Sequence, residues 1–107
     1  MKHHSDTFKE RWEKLTLAQQ LGNIGSEYER ALSWKKRGDE SKFQNAFERF
    51  LELLDLTIAN PHVTMPQKKE LLRAREIACQ ELTETNATDN YLQKYFYQFA
   101  LLANKDK

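Results

Sequence analysis

The stretch from Phe43 to Ile58, FQNAFERFLELLDLTI, constrains the fold of this chain more than any other. Wound at helical pitch, Phe43, Ala46, Phe47, Phe50, Leu51, Leu53, Leu54, Thr57 and Ile58 fall within one broad arc. A helix lying on a surface shows a narrower apolar stripe, so an arc this wide needs neighbours on more than one side. The rest of the chain is therefore expected to clad this rod. At 107 residues, 39% hydrophobic and 11% aromatic, it holds enough apolar material for one core. A single domain over 1–107 is expected.

The cladding helices are marked by their ends. In a capping box, a Ser or Thr oxygen and a Glu or Gln three residues later satisfy backbone N–H groups left free at a helix start. Thr7 with Glu10 opens a short segment with Phe8, Trp12 and Leu15 on one face. Thr16 with Gln19 opens a second, whose seam is Leu17, Leu21, Ile24, Tyr28 and Ala31. On one continuous helix the two seams would point in nearly opposite directions, which predicts a break near Leu15–Thr16. Gly22 and Gly25 inside the second helix each cost about 1 kcal/mol relative to Ala. With Ala18 and Ser26 they form a small-residue strip, which predicts close approach by another helix.

Lys35, Lys36 and Arg37 suit the negative end of a helix dipole, Gly38 suits the residue past its end, and Asp39 suits the next N-cap. So short a connection predicts an antiparallel hairpin. Asn60-Pro61 ends the central helix. Thr64, Pro66 and Gln67 restart a helix of about eighteen residues with Leu71, Leu72, Ala78, Cys79 and Leu82 on its apolar face. Thr83 to Asn90 reads as a loop. Thr88 or Asp89 then caps a last helix packing Tyr91, Leu92, Tyr95, Phe96, Phe99, Leu102 and Ala103. Residues 1–6 and 104–107 are expected to be disordered. The fold class is all-α: an antiparallel bundle of four principal helices behind a short N-terminal helix.

Several chemistries find no support. Seventeen basic and sixteen acidic residues leave a net charge of +1, so no strong attraction to nucleic acid or an anionic membrane is expected. Cys79 is the one cysteine, which excludes an intrachain disulfide and a thiolate metal cluster. No apolar run is long enough to span a bilayer, and a cytoplasmic setting is the expectation. His3, His4 and His62 show no metal-binding spacing. A nucleophile–base pair would have to be Cys79 with His62, yet Cys79 lies on an apolar helix face, where cysteine behaves as a small hydrophobe. No catalytic residue, cofactor or metal is assigned, and the chain is expected to be no enzyme.

Two features invite a functional reading. Arg75 sits within the apolar stripe of its helix, with Lys68 two turns earlier. It either pairs with Glu27, Glu52 or Asp55, or lines an inter-helix cavity for an anionic ligand. The second feature is apolar surface pointing outward: Tyr97 and Leu101 on the last helix, Leu56 on the back of the central one, and Phe8 and Trp12 in front. That is more than a monomer of this size usually shows. It predicts self-association, most simply a homodimer, or a partner helix laid on these faces.

Three resemblances accompany this reading. Ala31 to Trp34, through Gly38 to Phe47 and Leu51, resembles a tetratricopeptide helical hairpin, although Phe43 and Phe50 stand where that motif has small residues and no second copy follows. Gln20-Leu21-Gly22-Asn23-Ile24-Gly25-Ser26-Glu27, with Phe47 to Leu51, is similar to the four-helix bundles of the intervening-sequence and HEPN type. That likeness implies an RNA-associated accessory protein. The ribonuclease motif of that group needs an Arg with a His shortly downstream, which Arg49, Arg73 and Arg75 lack, so it also implies a catalytically silent member. As a whole the chain resembles an uncharacterised family of short microbial all-helical proteins, from which no activity carries over.

Overall fold

Local backbone devices close the second and third helices of this protein and the start of the fourth. The computed structural model describes residues 6–83 and 91–105. Five helices follow in order: α1 (Asp6–Glu13), α2 (Leu17–Arg37), α3 (Glu40–Ala59), α4 (Met65–Thr83) and α5 (Tyr91–Lys105). No strand occurs among the described residues.

The chain bends between α1 and α2, as the opposed seams require. Thr16 caps α2 through a complete capping box, its Oγ1 accepting from Gln19 N at 3.0 Å while Gln19 Oε1 accepts from Thr16 N at 2.9 Å. Gly38, at φ 75°, ends α2, its N–H donating to Lys35 O and the next N–H, of Asp39, donating to Trp34 O. These two bonds form a Schellman motif, whose left-handed residue glycine adopts without strain. Asp39 then accepts from Lys42 N and starts α3. Thr64 and Gln67 repeat the capping box at the head of α4.

Other boundaries differ from the sequence reading. Thr7 lies inside α1, which is already helical at Asp6, so Thr7 is not its cap. Asp6, Asn104 and Lys105 fall within the bounds of α1 and α5. Residues 1–5 and 106–107 lie outside the described residues. So do Thr88 and Asp89, and with them the expected cap of α5.

The four long helices run antiparallel to their neighbours. Tyr28 of α2 meets Phe50 of α3, with ring centroids 5.7 Å apart, and Phe96 of α5, also at 5.7 Å; Phe50 and Phe96 stand edge to face at 5.9 Å. This aromatic triangle is the middle of the core, and Phe50 and Leu54 of the mid-chain rod are fully enclosed. Yet α2, rather than α3, has a close helical neighbour along both flanks. The glycines of α2 let the α5 backbone come near on one flank, and α3 packs along the other.

The stripes of α4 and α5 are narrower than expected. Leu71, Ala74, Ala78 and Leu82 are buried, but Leu72, about 100° round the helix from Leu71, is 51% exposed, and Cys79 is half-buried. Leu102, the residue before buried Ala103, is likewise about half exposed.

Candidate interaction face on α2 and α5

α5 is seated on the glycine strip. A Cβ on Gly25 would lie 2.5 Å from Phe96 Cβ, and one on Gly22 would lie 3.3 Å from Ala100 Cα. The helices therefore touch backbone to backbone. This contact buries Leu92, Phe96 and Ala103 and turns the opposite side of α5 outward, leaving Tyr97 63% and Leu101 51% exposed. Beside them runs an open groove of about 460 Å³ between Leu15, Gln19, Gly22, Asn23 and Ser26 on one side and Ala100 and Ala103 on the other. A smaller hollow of about 180 Å³ continues it towards Glu29, Gln93 and Tyr97.

The face these helices share carries no charge. Residues 15–26 include no Asp, Glu, Lys or Arg, and neither do residues 95–104. One further run of this kind, 56–67, forms the end of α3, the turn and the start of α4. The runs on α2 and α5 lie side by side and include exposed positions: Asn23, Ser26, Tyr97, Gln98, Leu101 and Leu102. Among the described side chains, charge returns at the border, where Glu29 accepts from Gln93 Nε2 at 3.0 Å and Lys94 stands exposed; Lys105 follows the α5 run in sequence.

Of the outward residues expected from the sequence, the structure keeps only Tyr97 and Leu101 together. Trp12 is turned inward, 5% exposed. Its indole N–H donates to Thr57 Oγ1 at 3.1 Å, the Thr57 hydroxyl donates to Gln20 Oε1 at 3.0 Å, and Gln20 Nε2 donates to Trp12 O at 2.8 Å. This closed ring satisfies the polar groups that Trp12, Gln20 and Thr57 bring into the interior, as buried donors and acceptors require. The bend at Leu15 is what folds Trp12 back. Phe8 is half-buried, stacked on Trp12 at 6.1 Å with the Arg49 guanidinium 4.9 Å over its ring. Leu56 is half-buried against the core. Phe8, Trp12 and Leu56 therefore do not form the outward surface expected of them.

Arg75 resolves as an ion pair. Its Nε donates to Asp55 Oδ1 at 2.8 Å and a terminal nitrogen to Oδ2 at 3.3 Å, a bidentate grip in a partly exposed setting. The hydrogen bond to Asp55 pushes the guanidinium pKa above its ordinary value, against a smaller opposing effect of burial. The pair leaves no buried charge aimed into a cavity at this position. His62 is exposed in the α3–α4 turn, its backbone N–H donating to Asn60 Oδ1.

Among the described residues, no group of three or more His, Cys, Asp or Glu side chains is placed to hold a metal ion, and no helix is long and apolar enough to cross a membrane. Compared with known protein families, with curated proteins and with solved structures, the chain finds no match.

Proposed function

We propose that this protein is a non-enzymatic association module, that the outer face of α5 with the adjoining strip of α2 is its contact surface, and that a second copy of the chain is its partner. The absence of charge over two adjacent helical runs, in a chain of which 31% of residues are charged, carries this reading. The centre of a protein interface is depleted in charged residues and enriched in aromatics, because a buried charge must be paired or it opposes association. Here the charges stand at the border, at Glu29 and Lys94, and Tyr97 and Leu101 stand one turn apart between them and the end of the helix. Two copies of α5 crossing antiparallel about a two-fold axis would set each Tyr97 against the partner's Leu101, the self-complementarity that such symmetry demands.

The face offers about ten residues, fewer than the roughly twenty to thirty per side of a standard interface. A weak, reversible dimer fits it better than an obligate one. We take the setting to be cytoplasmic, where a lone cysteine stays reduced. The reading as an anionic-ligand binder through Arg75 has less behind it, since Arg75 is engaged by Asp55.

Light scattering tests the proposal on the intact chain and on a Tyr97→Glu/Leu101→Glu variant. The expected result is a mass that climbs above 12.7 kDa with concentration for the first and stays there for the second, with equal helicity in both. A strictly monomeric parent chain, or a variant that associates as the parent does, overturns it.

A further inference from the structure

We infer that α1 is a detachable strap, pinned by Trp12 with Phe8 stacked beside it, which opens locally at far lower cost than unfolding the bundle and loosens the Leu15 end of the α2–α5 groove. Of the α1 side chains described, Lys9, Glu10, Arg11 and Glu13 are exposed, Phe8 is half-buried, and Trp12 alone is buried. A helix of eight residues has little stability of its own, so it persists through what its apolar face docks on. That docking rests on Trp12, with Phe8 stacked on it beneath the Arg49 guanidinium.

Two features make release inexpensive. The start of α2 is closed without α1, because the Thr16–Gln19 capping box satisfies it from within. The slot Trp12 vacates also retains a partner for its own polar groups: Thr57 Oγ1 still donates to Gln20 Oε1, and incoming water can take the places of the indole N–H and of Trp12 O. Opening thus leaves neither a frayed α2 nor an orphaned polar atom. The hinge is Lys14–Leu15, held to α1 by the bonds from Lys14 N to Arg11 O and from Leu15 N to Trp12 O. Leu15 is itself a wall of the larger groove, so movement of α1 reshapes that end of the face. The opening stands independently of self-association; only its effect on the groove rests on that reading.

Hydrogen exchange on the intact chain across a series of low denaturant concentrations tests it. The amides of Glu10 to Leu15 should exchange at least about a hundredfold faster than those of Ile24, Tyr28, Phe50 and Leu54, with a much weaker denaturant dependence, as local openings do. A Trp34→Phe variant leaves Trp12 as the only indole, and its fluorescence should become quenchable before helicity is lost. Repeating both in the Tyr97→Glu/Leu101→Glu background separates this proposal from the previous one, since the strap should open there too. Exchange of α1 in step with the core, at the same denaturant slope, or Trp12 exposure coincident with loss of helicity, overturns the inference.

Discussion

α4 and α5 flank the same bundle, and they differ in how closely they approach it. α5 lies against the glycines of α2, with Phe96 over Gly25 and Ala100 over Gly22. α4 buries a stripe of Leu71, Ala74, Ala78 and Leu82 and is then tied down by polar side chains around its rim. Tyr28 OH donates to Glu81, Lys35 Nζ to Glu81 O at 2.9 Å, Tyr95 OH to Glu70 Oε1 at 2.7 Å, and Arg75 to Asp55. Their exteriors differ to match. α4 shows Lys69, Glu70, Arg73 and Glu76 to water, whereas α5 shows Tyr97, Gln98, Leu101 and Leu102. A peripheral place in the bundle therefore does not dictate an uncharged surface. The bare exterior of α5 is a property of that helix, which is why function is assigned there.

The contrast can be broken from the α5 side with the largest effects. Phe96→Ala removes a side chain 3% exposed that touches both Tyr28 and Phe50, and should lower unfolding free energy by about 4 kcal/mol in chemical denaturation. Gly25→Ala comes next. Helix propensity alone would make it stabilising by about 1 kcal/mol, but its Cβ would meet the root of the Phe96 side chain at 2.5 Å, which cannot swing aside. A net loss of about 1–2 kcal/mol is expected, and a gain would show that α5 is not held by close approach. The same change at Gly22, where the contact is 3.3 Å, should be near neutral.

Changes on the α4 side should be smaller. Tyr28→Phe keeps the ring in place and deletes the bond to Glu81, for an expected loss of about 1 kcal/mol in thermal or chemical unfolding. Arg75→Ala breaks a partly exposed pair and should cost no more than about 0.5 kcal/mol, an effect that shrinks further in high salt. A loss at Tyr28 or Arg75, the two polar ties to α4, that exceeds the loss from Gly25→Ala would invert the ranking.

What could be read in the sequence was whatever is decided locally. Thr16 with Gln19, Gly38 with Asp39, and Thr64 with Gln67 act within a turn of themselves, and the structure has each where its spacing placed it. The Gly22–Gly25 strip was legible as a seat for a helix because two glycines in a helix need a reason. Which helix takes that seat was not legible, since periodicity marks a stripe without naming its neighbour; hence α2, and not the more apolar α3, holds both flanks. Trp12 was misread because its direction depends on a bend and on a partner far along the chain: Thr57 lies 45 residues away. Tyr97 and Leu101 were legible from helical pitch. The uncharged runs 15–26 and 95–104 gain their meaning only when α2 and α5 are seen to lie side by side.

The claim that the outer α5 face is a contact surface is met most directly by amide chemical shifts followed over a range of protein concentration. The expected outcome is a set of concentration-dependent shifts confined to Asn23, Ser26, Tyr97, Gln98, Leu101 and their immediate neighbours, with the exposed face of α4 silent. Shifts that do not move with concentration, or that gather on α3 and α4 instead, would contradict it.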